Sequence, residues 1–272
     1  MPYFTATDGA RLFYTDEGDG TPLLCLAGLT RTGRDFDYVA PHLPPCRLIR
    51  LDYRGRGQSD WSGPSSYNLQ REGTDVIELL DHLAIEQTAI LGTSRGGLIA
   101  MGLAFTSKAR LLAVALNDIG PKIEAAGLAA IKEYLGRRPA FRTLDEAIAL
   151  RAKVMAGFAN VPETRWAQEV ILHYRGALDG LDITYDPTLR DAVLGNEAQA
   201  APDLWPIFGA LEGLPLALIR GANSDLLSKE TADEMAARRP DMIRADVPDR
   251  GHVPFLDEPE ALNAIHAWWK LI

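Results

Sequence analysis

The 272-residue chain is short of cysteine, of long apolar runs and of positive charge. Two cysteines, Cys25 and Cys46, cannot staple a disulfide framework, and neither stands in a Cys-x-x-Cys pair or a Cys/His cluster with metal-ligand spacing. No metal and no cofactor are therefore expected. No apolar run approaches the ~18 residues that a membrane-spanning helix requires, so a membrane role is excluded at the level of helices. Lys and Arg number 28 against 37 Asp and Glu, a net charge of -9, which is the wrong sign for neutralising nucleic-acid phosphates. The start, Met1-Pro2-Tyr3-Phe4, lacks the basic and apolar regions of a secretory signal. These absences point to a cytoplasmic protein, monomer or homodimer, whose partner is a small molecule.

What is present is a strand and helix rhythm. Tyr3–Thr7 and Arg11–Thr15 flank Asp8-Gly9 and read as a hairpin. Then come near-continuous apolar runs at residues 23–28, 46–53, 88–92 and 111–118. Such runs suit strands buried on both faces of a helix-covered parallel sheet. Helical stripes lie between them, as with Val76, Leu79, Leu80 and Leu83. From Pro121 to Pro206 the rhythm gives way to a helical stretch rich in Ala and Leu, and it resumes with a strand at 214–221, a helix from Lys229, a strand at 243–247 and a last helix from Glu258. The expected organisation is an α/β core made of residues 1–120 and 207–272, interrupted by a helical cap at 121–206.

Gly92-Thr93-Ser94-Arg95-Gly96 stands directly after a strand and directly before an apolar helix, the context in which a Gly-x-Ser-x-Gly turn pushes a nucleophilic serine out on a strained backbone. A serine needs a base. Of the five histidines, His42, His82, His173 and His266 fall in helical patterns, whereas His252 follows the strand ending near Val247, at the same sheet edge as Ser94. In open α/β sheets the carboxyl ends of the strands are where ligands collect. The order Ser, acid, His asks for a carboxylate between the two. Asp225, in the polar loop after residue 221, is the preferred candidate, and Asp118, at the end of the 111–118 run, is the alternative. The oxyanion hole is assigned by position to the backbone amides of Leu29 and Arg95. Arg31, Arg34 and Arg95 lie near it and are candidates for meeting a substrate carboxylate.

With these residues in this order, the chain resembles the α/β-hydrolase fold superfamily, in particular its cap-bearing serine hydrolases. The segment from Asp52 to Asp60 is similar to the Asp-x-Arg-Gly-x-Gly-x-Ser turn that follows the fourth strand in that superfamily, and Asn117-Asp118-Ile119-Gly120-Pro121 is similar to its junction into the cap. The resemblance implies an eight-stranded, mostly parallel sheet with an antiparallel second strand and a cap inserted after the sixth. It also implies hydrolysis of an ester or related acyl bond, of the carboxylesterase or lactonase type, through an acyl-enzyme. Two alternatives remain open: a carbon–carbon bond hydrolase of ring-cleavage products, and a non-catalytic ligand-binding protein on the same fold. Substrate choice is expected to lie with cap side chains such as Tyr134, Met155, Phe158, Trp166 and Tyr174.

Overall fold

The computed structural model describes residues 2–195 and 203–272. In chain order the first half contains strands β1 (Tyr3–Thr5), β2 (Arg11–Glu17), β3 (Pro22–Leu26) and β4 (Arg47–Leu51), helix α1 (Leu69–His82), strand β5 (Thr88–Thr93), helix α2 (Arg95–Thr106) and strand β6 (Leu111–Asn117). The segment after β6 carries helices α3 (Ala125–Tyr134), α4 (Leu144–Val154) and α5 (Glu163–His173), a hairpin of β7 (Tyr174–Ala177) and β8 (Gly180–Ile183), and helix α6 (Leu189–Leu194). The chain closes with α7 (Trp205–Gly209), β9 (Leu216–Gly221), α8 (Lys229–Arg238), β10 (Ile243–Val247) and α9 (Pro259–Trp269).

Eight strands form one sheet in the order β1-β2-β4-β3-β5-β6-β9-β10. β2 runs antiparallel to both of its neighbours, and from β4 onward every pairing is parallel. The apolar runs are continuous because both faces are covered. Leu24, Leu26, Ile90, Val114, Leu116 and Leu218 point into a core shared with α1, α2 and α8. Their neighbours in sequence, Leu23, Cys25, Ala89, Leu91, Ala115 and Ile219, point into a second core closed by Phe36, Val39 and the Ile265–Trp268 face of α9. Burial pushes the Cys25 thiol well above its ordinary value, so it behaves as a small apolar side chain. Among the described residues, no helix is long and apolar enough to cross a membrane.

One feature departs from the sequence reading. The stretch at 121–206 is not purely helical, because β7 and β8 pair antiparallel within it, with Gly180, the first residue of β8, at a φ of +138°. Phe208 of α7 is buried in the same core as the sheet residues.

The order of strands reverses about β3, with β4 on one side and β5 on the other. The loops leaving β3 and β5 therefore diverge at the carboxyl edge and leave a crevice there.

Candidate active site

Ser94 sits at the tip between β5 and α2 with φ of +50° and ψ of −111°. Such a backbone costs about 1–3 kcal/mol for a non-glycine residue and persists only where its surroundings hold it. They do so by close approach. A Cβ at Gly96 would lie 2.0 Å from the Leu26 carbonyl oxygen of β3, and one at Gly92 would lie 2.7 Å from the Gly96 carbonyl carbon. Both glycines of the motif are thus required by the distance at which α2 meets the sheet.

His252 Nε2 lies 2.9 Å from Ser94 Oγ, and His252 Nδ1 lies 2.7 Å from Asp118 Oδ2. The acid beside the imidazole is therefore Asp118, the alternative of the sequence reading, and not Asp225. Strand register is the reason. Thr93 of β5 pairs with Asn117 of β6, so the next residue of each, Ser94 and Asp118, stands at the same level of the edge. Asp118, fully buried at a φ of +56°, accepts hydrogen bonds from the Gly221 amide at 2.8 Å and from Ser224 Oγ at 2.6 Å. The loop after β9 thus contributes the Ser224 hydroxyl to the carboxylate, whereas Asp225 is exposed and its backbone carbonyl receives the Gly127 amide. With Asp118 accepting at Nδ1, the imidazole carries its proton there and presents the Nε2 lone pair to the serine hydroxyl.

The His252 loop reaches Asp118 by passing over the end of β9. A Cβ at Gly221 would fall 2.4 Å from the Gly251 carbonyl oxygen and 2.7 Å from that of Arg250. Gly221→Ala is accordingly expected to displace His252. A shift of about 1 Å there lowers kcat by roughly 10²-fold, and the overpacking costs about 1–3 kcal/mol of stability. Steady-state kinetics together with a melting curve check both effects.

The opposite side of the serine is braced by a buried ion-pair network that the sequence reading did not single out. Glu72 of α1, wholly buried, accepts from Arg56 Nη1 at 2.8 Å and from Arg95 Nε at 2.6 Å. Burial pushes the Glu72 carboxyl up, but Arg56 and Arg95 together hold it below its ordinary value. Arg56 also donates from Nε to the Leu29 carbonyl at 2.9 Å. Glu72 consequently ties together the two residues whose amides were assigned to the oxyanion hole. Among the described residues, no acceptor takes the N–H of Leu29 or of Arg95. A Cβ on Gly28, next to Leu29, would lie 3.9 Å from Ser94 Cβ. In the Asp52–Asp60 turn, Asp52 accepts from the amides of Gly33 and Gln58, and Arg54 pairs with buried Asp75.

Of the three arginines raised as carboxylate readers, Arg95 is committed to Glu72 and to the Tyr67 carbonyl, and Arg34 is exposed beside Asp37. Arg31 remains near the serine. The inserted segment is fastened to both flanks of the site. On the histidine side, Ala159 N donates to the Asp249 carbonyl, Asn223 Nδ2 donates to the Gly157 carbonyl, and the rings of Phe158 and Trp166 pack on Phe255. On the other side, Gly57 N donates to the Thr184 carbonyl, and Tyr67 donates to Asp186 at 2.6 Å.

An eight-stranded sheet of this order, with a strained serine at the strand-to-helix turn, defines the architecture of an α/β hydrolase, and the chain belongs to the alpha/beta hydrolase family, whose profile matches residues 23–265. It is similar to the 3-hydroxybutyrate-oligomer hydrolase of Cupriavidus necator, with 38% identity over 266 residues, 92% of this chain and 89% of that protein. Among solved structures it is similar to an alpha/beta hydrolase from Novosphingobium aromaticivorans, at 36% identity and a TM-score of 0.92, covering 100% of this chain and 98% of that one. The fold is also that of E-2-(acetamidomethylene)succinate hydrolase, at 22% identity and a TM-score of 0.82 over 96% of each chain.

Proposed function

We propose that the protein is a serine hydrolase of carboxylic esters, with Ser94, His252 and Asp118 as its catalytic triad, and that short oligomers of hydroxy acids such as 3-hydroxybutyrate are its substrate class. Residues 121–206 act as a cap over a core made of 1–120 and 207–272. The observation that carries this reading is the unbroken chain from Ser94 Oγ through His252 to Asp118, at 2.9 and 2.7 Å. The substrate class is supported by the 38% identity to the Cupriavidus enzyme over 92% of this chain.

In this mechanism Ser94 Oγ attacks the ester carbonyl while its proton passes to His252 Nε2. The carbonyl oxygen takes the negative charge and is held by the amides of Leu29 and Arg95, fixed in place before the reaction begins. Collapse expels the alcohol, which leaves with the proton from Nε2. Water then attacks the acyl-Ser94 ester and gives its proton to Nε2. The second collapse releases the acid and returns that proton to Ser94. Asp118 holds the ring in the required tautomer throughout.

The test offers the purified protein 3-hydroxybutyrate dimer and trimer, p-nitrophenyl esters of graded length, a lactone and a vinylogous diketone. The expected result is cleavage of the hydroxy-acid oligomers and short esters, with one equivalent of a fluorophosphonate probe bound per chain. Cleavage of the diketone with no ester turnover would assign the protein to carbon–carbon bond hydrolysis. No turnover and no labelling would make it a binding protein.

A further inference from the structure

Where the inserted segment meets the loop after β3, two guanidinium groups converge on one histidine. Arg31 Nη1 lies 3.1 Å and Arg151 Nη2 lies 3.4 Å from His173 Nδ1. A nitrogen faced by two donors that never lose their protons must itself be an acceptor, so His173 is neutral and carries its proton on Nε2. Burial, then the fields of Arg31 and Arg151, holds its pKa well below the ordinary histidine value.

The two arginines differ in how their charge is met. Arg31 is paired with Asp35 at 2.5 Å and with Glu169 at 3.0 Å. The other oxygen of Glu169 is occupied by the Tyr38 hydroxyl at 3.0 Å. Arg151, from α4, has no carboxylate within ion-pair distance among the described residues, and its Nε is buried with no hydrogen-bond partner, as is the Nε2 of His173. Glu169 attracts Arg151 through space but is already bonded to Arg31 and Tyr38, so the half-buried Arg151 guanidinium has given up hydration with a neutral imidazole as hydrogen-bond partner and no direct ion pair. Structural arginines elsewhere in this chain are treated differently: Arg54 and Arg56, both wholly buried, each have a buried carboxylate.

Arg31 links this group to the serine. The Arg31 Cγ is 3.3 Å from where a Gly28 Cβ would stand, and that point is 3.9 Å from Ser94 Cβ. Tyr134, at the end of α3 and half-exposed, lies within electrostatic reach of Arg31, Arg151 and Asp225. Arg31 thus connects His173 and Arg151 to the neighbourhood of Ser94.

We propose that Arg151, supported by Arg31 and by the Tyr134 hydroxyl, is a subsite for a carboxylate carried by the substrate. The substrate class is then an ester whose alcohol or acyl part ends in a free carboxylate, with neutral esters disfavoured. This deepens the ester reading and rests on it, because an oligomer of hydroxy acids has such an end. His173 positions the two guanidiniums by offering both the same lone pair. Arg151 is a specificity residue and plays no part in the bond-breaking steps.

The decisive comparison is between 3-hydroxybutyrate dimer as the free acid and the same dimer as its methyl ester. A hydrogen-bonded charge pair in a sheltered site contributes about 1.5–3 kcal/mol, which is roughly 10- to 100-fold in selectivity. The ratio of kcat/KM for acid over methyl ester is expected to fall by that factor in Arg151→Gln, carried mainly by KM, and to recover in part in Arg151→Lys. Arg34→Gln, an exposed charge on the same loop as Arg31, controls for loss of general attraction and is expected to leave the ratio unchanged. Binding is read separately, without turnover, as the rise in melting temperature of Ser94→Ala with 3-hydroxybutyrate against its amide. An upshift with the anion that disappears on adding Arg151→Gln supports the subsite. An anion effect that survives Arg151→Gln, or a selectivity ratio that does not move, overturns it. Anion binding that depends on Arg151 in a protein that cleaves no ester would retain the subsite and overturn the ester reading.

Discussion

Ser94→Ala is expected to lower ester turnover by a factor on the order of 10⁴ to 10⁶ while leaving the melting temperature at or above that of the parent. The size of the loss follows from the mechanism, since without Oγ no acyl-enzyme forms and His252 is left to activate water at a site shaped for a covalent step. Retained stability follows from the backbone, because the φ of +50° at position 94 is imposed by the approach of Gly96 to Leu26 and not by the serine side chain. Alanine has no γ-oxygen to place, so the strain is held as before. Turnover and covalent labelling by a fluorophosphonate should vanish together. A folded Ser94→Ala protein that still cleaves esters at the parental rate would remove Ser94 from the chemistry.

Asp118→Asn is the second large effect, and it separates the two candidate acids. The amide keeps the shape of the carboxylate but can turn an N–H toward His252, which then adopts the tautomer that has no lone pair for Ser94. A loss of about 10⁴-fold in kcat accompanies that kind of error in a serine triad. Asp225→Asn is expected to stay within a few-fold of the parent, because Asp225 is exposed and meets the rest of the chain through its carbonyl. The two variants measured side by side on one p-nitrophenyl ester decide the matter. A collapse of activity in Asp225→Asn with Asp118→Asn unimpaired would reverse the assignment.

The contrast between these two aspartates shows what could and could not be read from the chain. The apolar runs revealed strands covered on both faces, since side-chain alternation is a local property. Which strand lies beside which is not local. Asp118 and Asp225 both follow a strand, and only the pairing of Thr93 with Asn117 puts Asp118 level with the serine. The polar character of the loop after β9 was a true signal attached to the wrong residue, because its Ser224 hydroxyl meets Asp118. Glu72 was invisible for a related reason. It falls on the stripe that α1 turns to the core, where a glutamate looks like an interruption until Arg56 and Arg95 arrive from other elements. His173 and Arg151 stood among Ala- and Leu-rich helices whose three-dimensional neighbours no spacing reveals. The hairpin of β7 and β8 was hidden by its brevity, four residues in each strand inside a stretch of helical composition.

The Glu72 bracket has a consequence for how such a site can change. Leu29 lies in the loop after β3 and Arg95 opens α2 after β5, yet both are moored to one carboxylate on a core helix, Leu29 through Arg56 and Arg95 directly. The geometry on that side of the serine is therefore inherited from packing of α1 and not from the loops that display it. Loops there can exchange residues facing the substrate while the mooring stays the same, so new specificities are open to this scaffold without rebuilding its reactive centre. Changes in α1 have no such freedom, because any movement of that helix reaches both moorings at once.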